Sequence, residues 1–119
     1  MSATFTKESE NLFVVHVKGI YTFEDSKEFE SQLAAEIDGS QKVKALIITE
    51  QFSGWGKEGD WGDMTFFSEH DKHIEKIAVV ANEKWKDQFL MFLAAGLRQA
   101  AVEFFPDGRE EDARNWLRS

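Results

Sequence analysis

Hydrophobic residues near the start of the chain follow the two-residue period of extended backbone. Residues 3–7 and 12–18 predict two strands, joined through the polar cluster Glu8-Ser9-Glu10-Asn11 as in a hairpin. In the second strand Phe13, Val15 and Val17 fall on one face and Leu12, Val14 and His16 on the other. Both faces are therefore largely apolar, which places the strand inside a sheet rather than at its edge. His16, flanked by apolar neighbours, reads as a partly buried, hydrogen-bonded histidine rather than a catalytic base. After Gly19 the period lengthens. Thr22 and Asp25 have capping-box spacing, Phe29, Leu33 and Ile37 recur every fourth residue, and Asp38-Gly39 stops the helix.

The runs 43–49 (VKALIIT) and 77–81 (IAVVA) are almost continuously apolar and predict strands buried on both faces. Between them, residues 50–62 hold four glycines and two tryptophans, and Asp60 is placed to cap a helix running to about His73. Asn82 caps a further helix with the stripe Trp85, Phe89, Phe92, Leu93, Gly96 and Leu97. Residues 101–105 form a fifth strand, and Asp107 with Glu110 opens a last helix that packs Ala113, Trp116 and Leu117. Alternating strands and helices call for an α/β fold: a mixed, mostly parallel sheet of about five strands, covered by about four helices with right-handed crossovers. With no linker or internal repeat, residues 1–119 are expected to form a single domain.

Composition narrows the function classes. Hydrophobic residues at 42% and charged residues at 30% describe a chain able to build a core. The absence of cysteine excludes disulfides, thiolate metal sites and thiol nucleophiles. A net charge of −8 repels phosphate backbones and anionic lipid, so no nucleic-acid partner is expected and membrane contact is expected to be at most weak or transient. The opening MSATFTKESEN lacks the basic and apolar regions of a secretory leader, and cytoplasmic localisation is the expectation. Eleven Phe and four Trp beside one Tyr leave much aromatic surface to be accounted for.

Four segments carry a family likeness: VKALIIT (43–49), GWGKEGDWGDM (54–64), HDKHIEKIAVVANEKW (70–85) and FFPDGREEDARNWL (104–117). On these the chain resembles the SpoIIAA-like group, in its uncharacterised bacterial branch. That group shares its fold with STAS domains and is related in architecture to the CRAL-TRIO lipid-binding domains. The resemblance covers essentially the whole chain and implies successive strand–helix turns with no established enzymatic activity. Anti-sigma-factor antagonists of this fold carry a phosphorylatable serine at the helix start after the third strand. The matching stretch here, Thr49-Glu50-Gln51-Phe52-Ser53-Gly54-Trp55, has no serine at a helix cap, so the resemblance does not carry that switch over.

Each candidate for chemistry has a plainer explanation. Residues 54–59 match G-x-G-x-x-G, but Gln51-Phe52-Ser53 separate the motif from its strand, and tryptophans would crowd the pyrophosphate path. His70 and His73, near Asp63 and Asp71, fall short of the ligand number a zinc site needs, and both suit the end of a helix. No G-x-S-x-G elbow is present, and the carboxylates Glu58, Asp60 and Asp63 are ordinary in a chain with 22 acidic residues. No catalytic residue, metal or cofactor is therefore assigned.

The aromatic excess remains. Trp55, Trp61, Met64 and Phe67 cluster around the glycine segment, and the helix from Asn82 is apolar almost all round. Phe89, Phe92 and Leu93 are expected to face the sheet, leaving Leu90 and Met91 in need of another cover. The expected ligand-binding set is Trp55, Trp61, Met64, Phe67, Phe89, Phe92 and Leu93, gated by a lid hinged at Gly54, Gly56, Gly59 and Gly62. This describes a non-enzymatic module for an apolar or lipid-like small molecule. The alternative is a STAS-type regulatory domain that buries Leu90 and Met91 against a protein partner or a second copy.

Overall fold

Five strands form one sheet in the order β1-β2-β3-β4-β5: β1 (Ala3–Ser9), β2 (Leu12–Tyr21), β3 (Val43–Trp55), β4 (Ile74–Ala81) and β5 (Ala101–Pro106). The structure is a computed structural model that describes residues 3–9, 11–36, 42–59, 71–93 and 100–119. β1 pairs antiparallel with β2, and all later pairings are parallel. The expected mixed, mostly parallel α/β sheet is what forms. Three α-helices accompany it among the described residues: α1 (Phe23–Glu36), α2 (Lys86–Phe92) and α3 (Glu110–Arg118). The expected helix from Asp60 lies mostly outside the described residues, and its end, Asp71–His73, is a single 3-10 turn.

The sequential strand order decides which face each helix covers. Parallel neighbours joined by crossovers of one hand put their connecting helices on one side of the sheet. Accordingly Phe29 and Leu33 of α1 and Phe89 of α2 join the cluster that holds Phe13, Val15, Val17, Ala45 and Val79. The opposite face, with Val14, Leu46, Ala78 and Val80, is covered by Ala113 and Leu117 of α3. Both faces of β2 are thus apolar, as its sequence requires. His16 is a correction: it is exposed, not partly buried.

Local chemistry sets the helix ends. The capping box at α1 is formed, with Thr22 N donating to Asp25 Oδ2 at 3.0 Å and Asp25 N donating to Thr22 Oγ1 at 3.1 Å. Asn82 accepts from Lys84 N at 3.0 Å and starts a 3-10 turn, Glu83–Trp85, that leads into α2. At α3 the expected cap is corrected by two residues. Gly108, with φ +87°, completes a turn closed by Arg109 N donating to Pro106 O, so Asp107 lies in the turn and Arg109 occupies the cap position. Lys76 Nζ donates to Trp116 O and Ser119 O at 2.9 and 2.7 Å, and Lys44 Nζ donates to Leu117 O, which places cations at the negative end of the α3 dipole. Arg114 bridges Glu8 of β1 at 2.7 Å and Glu110 at 2.9 Å, tying the last helix to the first strand.

β3 departs most from the sequence expectation. The polar pair Glu50-Gln51 and the following glycine suggest a strand that ends at Thr49, yet the strand continues to Trp55 across a bulge. Pairing with β2 passes from Lys18↔Glu50 to Ile20↔Gly54, so Gln51, Phe52 and Ser53 stand opposite Gly19 alone. Gln51 accommodates the extra residues in the left-handed region, at φ +52°, the only non-glycine with positive φ among the described residues. This shift of phase turns Phe52 into the helix-covered face.

Candidate functional site

The bulge creates an aromatic cluster at the carboxyl end of β3. Phe52 meets Phe89 at 4.9 Å between ring centroids and Trp55 and Trp85 at 5.1 Å each, the tryptophans edge-on. Trp55 meets Phe89 at 5.0 Å and Phe92 at 5.4 Å, and Tyr21 meets Phe92 at 6.2 Å. Such pairs contribute about 0.5–1.5 kcal/mol each beyond burial. They depend on α2, which projects Phe89 and Phe92 toward the sheet while Leu93 ends the helix, buried.

Beneath this cluster, between α1, α2 and the sheet, lies a cavity of about 30 Å³. Its walls include Val15, Phe29, Ile47, Phe52, Phe89 and Leu93, with Phe92 and Tyr21 at one side. Ser26 and Glu30 of α1 add the polar groups on the wall. The Tyr21 hydroxyl shares a hydrogen bond with Ser26, and burial pushes its pKa well above the usual phenol range, so the group is a neutral phenol throughout the physiological range. The resting volume suits about one water molecule rather than a drug-sized ligand.

The two indoles of the cluster have unpaired polar atoms. Trp55 Nε1 and Trp85 Nε1 are both buried from solvent and neither has a hydrogen-bond acceptor. Each such donor costs about 1–3 kcal/mol relative to a satisfied one. Both residues as a whole are only partly buried.

Of the residues assigned from sequence, the structure brings Trp55, Phe89, Phe92 and Leu93 together, the last three on the cavity wall and Trp55 against them. Trp61, Met64, Phe67 and Gly62 lie outside the described residues. The glycines take positions the sequence does not suggest. Gly54 belongs to β3 rather than to a loop, with φ +112° and a missing Cβ that would come 3.4 Å from the Trp85 ring. Gly56 donates its N–H to Tyr21 O at 2.8 Å. Gly59 packs on Phe23, where a Cβ would lie 2.1 Å from the ring. Leu90 is a correction: it is half-buried and packs against the core cluster, whereas Met91 is 80% exposed.

Phe52, Trp85, Tyr21 and Ser26 are members that sequence reasoning missed. Phe52 and Tyr21 both lie beyond the strand ends that Thr49 and Lys18 mark in the sequence, and the one signal for them is the density of aromatic residues on either side of Gly54. Trp85 follows the helix stripe by spacing, and nothing in the sequence ties it to the site. Among the described residues no group of three or more His, Asp or Glu is placed to hold a metal ion, and no helix is long and apolar enough to cross a membrane.

A bulged strand, two helices and an aromatic cluster over an apolar cavity thus share one face of a mostly parallel α/β sheet. A sequence model of the SpoIIAA-like family matches residues 12–118, and the chain belongs to that family. The fold is also similar to the crystal structure of an uncharacterized protein from the DUF3478 family, with a SpoIIAA-like fold, from Shewanella loihica PV-4. That chain is 20% identical, with a TM-score of 0.69 over 97% of this chain and 91% of the other. No curated protein matches the sequence. Family and fold together support a binding or regulatory role.

Proposed function

We propose that this protein is a non-enzymatic module that binds an apolar or lipid-like small molecule between α1, α2 and the sheet. The observation that carries the reading is the convergence of Trp55, Phe89, Phe92 and Leu93, with Phe52 added by the bulge, around one apolar cavity with a few polar groups on its wall. Apolar walls with a small number of placed polar groups are the usual character of small-molecule sites. Because the cavity holds about 30 Å³ at rest, occupancy requires the α2 side to move outward. α2 is suited to that movement: it has seven residues and no side-chain cap.

Calorimetric titration of lipid-stripped protein with 1-nonanol tests this reading. Saturable one-to-one binding is expected for the wild type and for Met91→Ser. Leu93→Trp, which fills the cavity, should abolish it. If a folded Leu93→Trp variant binds as tightly as the wild type, the site is misassigned. If the wild type gives no saturable heat, the reading fails.

A regulatory protein-interaction domain is the alternative, and the exposure of Met91 at 80% and Ile20 at 49% is what favours it. Sedimentation that shows a concentration-dependent mass, lost in Met91→Lys, would support this alternative.

A further inference from the structure

From the two orphaned indoles we infer the ligand's polar chemistry: an apolar chain or ring bearing a neutral oxygen acceptor, such as a ketone, ester or alcohol, that takes the Nε1–H groups of Trp55 and Trp85. This rests on the apolar-ligand reading and refines it. Buried donors in folded proteins are almost always paired, and here two of them fall within one cluster, their ring centroids 6.0 Å apart. The ring faces around them offer only weak N–H···π contact. Two unpaired donors in one cluster call for oxygen lone pairs, and each ring touches a residue of the cavity wall, Trp85 through Phe52 and Trp55 through Phe89.

Charge decides between a neutral acceptor and a carboxylate. The chain carries −8, and Glu30 stands on the cavity wall. Lys84 Nζ lies over the face of the Trp85 ring, 5.5 Å from its centroid, rather than at the ring nitrogen. An anionic head would enter against this field. A neutral carbonyl or hydroxyl oxygen does not meet that difficulty.

The test compares 2-nonanone with nonane, the same chain without an acceptor, on full-length protein labelled with ¹⁵N at its tryptophan side chains. Binding of 2-nonanone is expected to move two indole N–H resonances downfield. It should also be at least tenfold tighter than nonane once aqueous solubility is taken into account. Nonane should leave those resonances in place. Trp55→Phe and Trp85→Phe should each reduce the ketone preference while still binding nonane, which separates a lost donor from a lost fold. Nonanoate should bind more weakly than the ketone at pH 7. Equal affinity for ketone and alkane with unmoved indole resonances would overturn the acceptor inference and leave the apolar-ligand reading intact. Absence of binding for both probes would overturn both.

Discussion

Gln51 is held in a conformation that costs energy, and the aromatic site depends on it. At φ +52° its Cβ crowds the neighbouring carbonyl, a strain of about 1–2 kcal/mol for a residue other than glycine. Replacing it by glycine removes the strain but adds about 0.5–1 kcal/mol of backbone entropy lost on folding. The Gln51 side chain is exposed, so little packing is forfeited. Gln51→Gly is therefore expected to stabilise the protein by about 0.5–1 kcal/mol, which for a chain of this size raises Tm by about 2–4 °C. Gln51→Ala keeps the strain and is expected to remain within about 0.5 kcal/mol of the wild type. Differential scanning calorimetry on the three proteins reads the difference. A Gln51→Gly variant with a Tm at or below that of Gln51→Ala would refute the strained bulge, and with it the account of how Phe52 reaches the cluster.

Gly59→Ala should destabilise by at least about 1–3 kcal/mol, because φ +102° disfavours any side chain and the new Cβ would lie 2.1 Å from Phe23; an unchanged urea midpoint would contradict this packing. On α2, Phe89→Ala should cost about 3–5 kcal/mol. Two residues on, Met91→Ala should fall within about 0.5 kcal/mol of the wild type, since Met91 is exposed; a large effect in chemical denaturation would mean that Met91 is covered in solution. The Arg114 hydrogen bond to Glu8 holds that carboxyl below its ordinary value of 4.5, with partial burial opposing the shift. A depressed folded-state pKa contributes stability above the unfolded value that is lost as pH falls through the folded one. Glu8→Gln should therefore lower stability at pH 7 by under about 1 kcal/mol, for a surface pair, and have a smaller effect below pH 4; an equal effect at both pH values would contradict the linkage.

The fold was legible where hydrophobic period and capping chemistry agree. The largely apolar β2 could only be internal, Thr22 and Asp25 form the capping box their spacing announces, and Asn82 caps as expected. The site was legible only in part. Phe89, Phe92 and Leu93 follow helical spacing and so reveal a common face, whereas Phe52 reaches that face through a bulge that breaks the two-residue period. A left-handed Gln51 leaves no signature in the sequence, because glutamine has no preference for that conformation. Gly54 reads as a breaker by composition, yet in β3 it clears space for the Trp85 ring. Leu90 shows the same limit, since an all-apolar helix does not say which of its residues the sheet will reach. His16 does too: strand alternation fixes its face but not whether any element covers that face.

The central claim is that the aromatic cavity receives an apolar molecule. Its most direct test is native mass spectrometry of the protein purified from its own host without detergent, followed by organic extraction and identification of what is released. The account predicts a one-to-one adduct, apolar with a neutral oxygen function, that extraction removes. A clean unliganded mass, with nothing in the extract, would contradict it.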